Sequence, residues 1–286
     1  MQISRRVFLQ SSAAGVAAVS MMRGLRAEEG VAGPKVRISA RQFGDNLEAG
    51  KKAGMDGLEI GVGGPADTLH VADAAYRATL KERMKAIGLP VSSLSMDLMN
   101  GCPVGLEPRS GAWLAQCIEA AGDLKAVAIL VPFFGKADLL QGKELKKAEV
   151  DAMVACVKEV APKAKAAGVM LGLENRCSAQ QNLDMLDRIG SDAVGVYYDI
   201  GNSTNGGYDV PAELRALKGR LASIHFKDDG NFLGEGKVKM EPVAAALKEI
   251  GYPGWIVLET ACPTHNTEAD CKRNAEFIRK LMGQAA

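Results

Sequence analysis

Val169-Met170-Leu171-Gly172-Leu173-Glu174-Asn175-Arg176 is a short apolar run that stops abruptly at a carboxylate and then turns polar. Three later stretches repeat the plan. Val194-Gly195-Val196-Tyr197-Tyr198 ends at Asp199, Leu221-Ala222-Ser223-Ile224 ends at His225, and Trp255-Ile256-Val257-Leu258 ends at Glu259. The four ends fall 25, 26 and 34 residues apart, and a strand with its crossover helix takes roughly 30. Parallel strands spaced in this way point their C-terminal ends in one direction. Two Glu, one Asp and one His then converge on one rim, and hard and borderline donors in that mixture suit a divalent metal ion.

The same alternation extends back to the start of the chain. Val36-Arg37-Ile38-Ser39-Ala40, Gly57-Leu58-Glu59-Ile60, Pro90-Val91-Ser92-Ser93-Leu94-Ser95 and Ala126-Val127-Ala128-Ile129-Leu130-Val131 read as four further strands. Helical patterns lie between and after the strands, over 46–53, 71–87, 111–121, 145–167, 181–189, 211–217, 242–250 and 268–282. Gly88 with Pro90 just beyond it is a typical helix stop. Eight strands alternating with eight helices mean a parallel sheet covered by helices. At this length the arrangement is an α/β (β/α)₈ TIM barrel. An open doubly wound sheet is the alternative, but it carries a Gly-rich phosphate loop after its first strand. Arg41-Gln42-Phe43-Gly44 is not one.

Composition narrows the function. Of the 286 residues 47% are hydrophobic and 24% charged, ordinary values for a chain with a large core. A formal net charge of +1 and 5% aromatics leave neither the basic footprint nor the stacking platforms that nucleic-acid binding needs. The first residues read separately. Ser4-Arg5-Arg6-Val7-Phe8-Leu9-Gln10 followed by a small-residue apolar run over 11–22 is a twin-arginine export pattern, too short for a membrane span. A signal peptide over 1–27 and a mature barrel over 28–286 follow, with a periplasmic or otherwise exported destination and no membrane attachment after cleavage. Six cysteines without C-x-x-C spacing give no metal knuckle and single out no disulfide pair.

Strand-end polar residues in a (β/α)₈ barrel carry its chemistry. Each of the four has a plain structural alternative: an ion pair for Glu174 and Glu259, a helix cap for Asp199, a hydrogen-bonded core ring for His225. Four on consecutive strands are much harder to explain in that way.

Leu173-Glu174-Asn175-Arg176, Tyr198-Asp199-Ile200-Gly201-Asn202, Ile224-His225-Phe226-Lys227-Asp228, Leu233-Gly234-Glu235-Gly236 and Trp255-Ile256-Val257-Leu258-Glu259 together resemble the xylose isomerase-like barrel superfamily. Within it the chain is similar to the sugar isomerase/epimerase branch, which holds ketose 3-epimerases, hydroxypyruvate isomerases and inosose dehydratases. The resemblance implies that Glu174, Asp199, His225 and Glu259 ligate one divalent ion, Mn in preference to Mg, Co or Zn. It also implies that Glu174 and Glu259 are the catalytic pair, moving a proton on opposite faces of the substrate carbon through an enediolate. Epimerases of the family carry a His three residues after the Asp. Here that position is Asn202, an amide that binds but carries no proton, which bears on ketose 3-epimerisation more than on metal binding.

The expected partner is a small carbohydrate, and the resemblance allows a homo-oligomer. An exported enzyme and loops without a phosphate cradle favour a non-phosphorylated sugar or keto-sugar. Asn202, Arg176, Lys227, Glu59 and His70 are candidate substrate contacts, with Arg176 and Lys227 also able to pair with Asp228, Asp229 and Glu259. Lys136 and His265 are weaker candidates, while Trp113, Met96, Met99 and Phe133-Phe134 read first as packing. The same constellation also serves elimination, as a dehydratase or keto-glycoside lyase. A non-catalytic sugar-binding barrel predicts a broken ligand set, and here all four positions are intact.

Overall fold

A computed structural model describes residues 35–284; the leader expected over 1–27 lies outside them. Eight parallel strands close into a barrel: β1 (Arg37–Ala40), β2 (Gly57–Gly61), β3 (Val91–Ser95), β4 (Ala128–Pro132), β5 (Met170–Glu174), β6 (Val194–Asp199), β7 (Leu221–Phe226) and β8 (Trp255–Leu258). Neighbours follow chain order, and β8 pairs with β1 to close the ring. The expected barrel is therefore observed, with strand boundaries within two residues of those read from the sequence.

Helices alternate with the strands: α1 (Leu47–Lys52), α2 (Ala74–Ile87), α3 (Ser110–Leu124), α4 (Lys147–Ala167), α5 (Ala179–Ile189), α6 (Ile200–Asn205), α7 (Val210–Leu217), α8 (Met240–Glu249) and α9 (Thr267–Met282). Their ends follow local chemistry. Ser178 and Gln181 form a reciprocal capping box at α5. Gly88, Gly168, Gly190 and Gly283 end α2, α4, α5 and α9 in the left-handed conformation that glycine adopts at least cost. Among the described residues no helix is long and apolar enough to cross a membrane.

Two segments differ from expectation. Residues 145–146 do not begin α4: Leu145 pairs with Leu140 in a small antiparallel hairpin that turns at Gly142, φ +66°. The short helix α6, absent from the sequence reading, starts directly after Asp199, which caps it.

The core has two layers. The larger lies between strands and helices, where Ile38, Leu58, Leu94, Ile129, Leu171, Ile224 and Ile256 are buried against the helical shell. A smaller one fills the barrel, from Ala128, Leu130, Tyr197, Trp255 and Val257. Glycines make room for the large rings inside. A Cβ on Gly172 would stand 2.9 Å from Tyr197 Cδ2. Gly172→Ala is therefore expected to destabilise the fold by about 1–3 kcal/mol, the usual range for overpacking, measurable by denaturant unfolding. Two register slips adjust what points inward. Leu58 pairs with Val91 but Glu59 with Ser93, and Val196 pairs with Leu221 but Tyr197 with Ser223. After each slip the inward residue is polar: Glu59 with Ser93, and Tyr197 two residues before Asp199.

Candidate active site

Because β5, β6, β7 and β8 are adjacent, Glu174, Asp199, His225 and Glu259 form an arc on the C-terminal rim. Each offers one ligand atom, and all four atoms lie within 4.8 Å of one another. A groove of about 450 Å³ lined by Met170, Gly190, Val194 and Arg220 is at the other end, where β5 and β6 begin.

Asp199 resolves a choice the sequence left open. Its Oδ1 accepts the N–H of Asn202 at 2.7 Å and so caps α6. Its Oδ2 is buried without a hydrogen-bond partner and faces the cluster. The residue is both a cap and a candidate ligand, one oxygen for each. His225 is fully buried; its Nδ1 lies 2.9 Å from Glu174 Oε1 and 3.4 Å from Glu259 Oε2. Lys227 Nζ stands 3.0 Å from Glu259 Oε2 and 3.1 Å from Asp199 Oδ2, the latter an ion pair without hydrogen-bond alignment.

Arg41, immediately after β1, completes the rim. It donates to Glu259 Oε1 at 2.6 Å and to both oxygens of Asp97 at 2.8 and 2.9 Å. Among the described residues Glu59, Asp97, Glu174, Asp199 and Glu259 thus face two permanent cations, Arg41 and Lys227. The surplus of negative charge, and the orphaned Asp199 oxygen, are what a divalent ion would neutralise. The donor set of three carboxylates and one imidazole fits such an ion.

These surroundings separate the carboxylates. Burial pushes Asp199 up to about 7, with Glu174 adding to the rise and Lys227 opposing it. Burial also raises Glu174, against the pull of His225. Burial would raise Glu259 as well, but His225, Lys227 and Arg41 outweigh it and hold that carboxyl far below the ordinary range. For His225 burial alone would favour the neutral ring, yet Glu59 and Glu174 hold its pKa well above that of free imidazole. Two carboxylates pushed apart across one site is the pattern of an acid–base pair.

The expected substrate contacts are distributed differently. Lys227 is in the cluster, paired with Asp199 and Glu259 rather than Asp228 or Asp229. Asp228 instead accepts the backbone N–H groups of Gly234, Gly236 and Val238, shaping that loop, and Asp229 accepts from Asn205. Arg176 is exposed and paired with Asp138. Asn202 is half-buried beside Asp199. His70 is exposed, with its ring against Tyr76 at 4.1 Å, and makes no polar contact with the cluster. Glu59 needs correcting. It is not at the rim but fully buried, one oxygen 3.1 Å from His225 Nε2 and the other taken by Ser93 and Tyr197. It sits between Leu58 and Ile60, which pack outward against the helices, and strand alternation turns it into the barrel. Met96, Met99, Phe133 and Trp113 are buried core. Arg41 was missed although it directly follows a strand; the strand-end rule that found the other four applies to it unchanged.

Gly201 makes Lys227's position possible. A Cβ there would stand 2.5 Å from Lys227 Cγ and 2.9 Å from its carbonyl oxygen. Gly201→Ala is expected to push Lys227 off Asp199 and Glu259 and lower kcat/KM by at least about tenfold, the equivalent of 1.4 kcal/mol, with the overall fold unchanged by circular dichroism.

Fold and site together define a (β/α)₈ barrel with a candidate carboxylate–imidazole cation site at its C-terminal rim. The chain belongs to the xylose isomerase-like TIM barrel family, whose profile matches residues 47–281. It is 25% identical over 260 residues to the L-ribulose-5-phosphate 3-epimerase UlaE of Escherichia coli, covering 84% of this chain and 90% of the relative. Among solved structures it is similar to an L-ribulose 3-epimerase, with TM-score 0.73 and 23% identity over 87% of this chain and 95% of that one. A D-psicose 3-epimerase in the presence of D-fructose superposes with TM-score 0.72 at 15% identity, covering 87% of this chain and all of that one. The relatives support an isomerase or epimerase enzyme.

Proposed function

We propose that this protein is a divalent-metal-dependent epimerase of a small, non-phosphorylated keto-sugar, exported by the twin-arginine leader. The carrying observation is the arc itself. Glu174 and Glu259 stand at its two ends with Asp199 and His225 between them, all four within 4.8 Å, and with opposite pKa shifts on the two glutamates. An ion held by the four would polarise a ketone and its neighbouring hydroxyl and so acidify the C–H beside them.

The chain's own residues supply the rest. A sugar carbon seated in the arc lies between two carboxylates reached from different strands, so one can take a proton from one face and the other return it to the opposite face. Glu174, raised by burial, is the better proton carrier. Glu259 is kept ionised by Arg41 and Lys227 and fits the complementary state. Lys227 and Arg41 also place N–H donors where charge develops on substrate oxygens. The substrate class follows from the rim cations: Arg41, Lys227 and Arg176 already face carboxylates, which favours a free sugar over a sugar phosphate. The ketoses named for the relatives give the starting set.

The test is incubation with Mn²⁺ in D₂O, with L-ribulose, D-psicose and L-ribulose 5-phosphate in parallel. One deuterium entering beside the carbonyl of a free ketose, with an epimeric product of otherwise unchanged mass, is the expected result. Preference for the phosphate ester would overturn the substrate class. Loss of the mass of water would move the reaction to elimination, and no wash-in with any ketose would remove the epimerase reading.

A further inference from the structure

We infer that Glu59 is a positioning residue that fixes the His225 ring, keeping a proton on Nε2 and presenting Nδ1 to the cation site. The inference rests on the metal-dependent reading above, but the geometry that carries it lies below the rim.

Glu59 is fully buried, and a buried carboxylate is costly unless its oxygens are occupied. Here they are. Oε2 accepts Ser93 Oγ at 2.8 Å and the Tyr197 hydroxyl at 2.5 Å, while Oε1 lies 3.1 Å from His225 Nε2, with Arg41 Nε at 3.8 Å. An ionised carboxylate only accepts, so the nitrogen facing it is the N–H. Nδ1 faces Glu174 at 2.9 Å and Glu259 at 3.4 Å, so without an ion it carries a proton as well. That proton, not the one held by Glu59, is the one an ion in the cluster would displace. A ring flip would set a C–H against Glu59 and withdraw Nδ1 from the rim.

The surrounding strands lock this arrangement. Tyr197 stands edge-on to the imidazole, ring centroids 4.7 Å apart at 61°, so one side chain both packs the ring and clamps its acceptor. Gly172 leaves the space that Tyr197 occupies. The slips in β3 and β7 bring Ser93 opposite Glu59 and Ser223 opposite Tyr197. Four strands, β2, β3, β6 and β7, therefore meet at one hydrogen-bond chain ending on His225. Such a carboxylate–histidine pair fixes the tautomer and raises the ligand's basicity, and changing the carboxylate costs about 10–100-fold in metal affinity.

The experiment combines chelator competition for Mn²⁺ and Zn²⁺ with ¹⁵N-histidine NMR of the metal-free and Zn²⁺-loaded protein. With three histidines in the chain the spectrum is readable. The variants are Glu59→Gln, Glu59→Leu and Tyr197→Phe. Wild type is expected to show one solvent-protected Nε2–H resonance whose partner Nδ1 moves on adding Zn²⁺. Affinity is expected to fall about tenfold in Glu59→Gln and about 100-fold in Glu59→Leu, with the Nε2–H signal shifted or lost. Tyr197→Phe should fall between wild type and Glu59→Gln. If Glu59→Leu does not fold, the other two variants decide. Wild-type affinity and an unchanged Nε2–H resonance in folded Glu59 variants would overturn the inference. If wild type itself binds no metal, the metal-dependent reading fails instead, and the metal-free spectra still judge the positioning role: an Nε2–H resonance identical in wild type and Glu59→Gln rules it out.

Discussion

Glu174→Gln is expected to cut turnover by about three orders of magnitude, within the 10²–10⁴-fold typical of a lost general acid–base group, without making the metal-free barrel less stable. The side chain sits at the end of β5, buried, with Oε1 2.9 Å from His225 Nδ1. Glutamine has the same length and can still hydrogen-bond, but its amide carries no proton between substrate faces. The backbone carbonyl of residue 174 accepts from Phe133 N, a bond the substitution leaves alone.

The stability half follows from the direction of the pKa shift. Burial raises the folded-state pKa of Glu174, so the fold disfavours its ionised form and the group subtracts stability once the pH exceeds its ordinary value. A neutral amide removes that penalty. Thermal melts in chelator at pH 7.5 should therefore place Glu174→Gln at or above wild type, while steady-state assays with saturating Mn²⁺ show the loss. Activity within tenfold of wild type would mean that Glu174 is not the proton carrier. Glu259→Gln is a useful contrast. It also weakens the ion pairs with Arg41 and Lys227, so it should lower metal content and stability together.

Much of this site was legible because strand ends in a parallel barrel are fixed by pattern. An unbroken apolar run must be buried on both faces, and the first charged residue after it emerges at the rim. That logic located Glu174, Asp199, His225 and Glu259 without coordinates, and applied to Ala40-Arg41 it would have located Arg41. It failed for Glu59, which lies inside β2 and not after its end. Strand side chains alternate, so a Glu between the outward-facing Leu58 and Ile60 points into the barrel. Leu145, read as the start of a helix, was misread for another reason. Gln141-Gly142-Lys143-Glu144 can open a helix or close a hairpin, and the positive φ at Gly142 is a property of the folded chain. Asp199 shows the opposite case: two readings that seemed exclusive, cap and ligand, are both satisfied because a carboxylate has two oxygens.

Stripping the metal is expected to abolish activity and lower the melting temperature, and the affinity lost should depend on pH in a defined direction. An ion present at a thousand times its Kd adds about 4 kcal/mol to folded-state stability. For a domain of this size each kcal/mol moves Tm by roughly 2–4 °C, so chelation should lower Tm by about 10 °C. Protons compete for the same atoms. Asp199 titrates near 7 in the metal-free site, and His225 is held well above the usual imidazole range, so both carry protons on the acid side. Both must give up a proton at the ligating atom before the ion is held. Affinity therefore falls as pH falls, with protons released as the ion binds and more of them on the acid side. Chelator competition at pH 6, 7 and 8, with calorimetry in buffers of different ionisation enthalpy, reads both the affinity and the proton release. A pH-independent affinity with no proton release would place the ion on some other set of ligands.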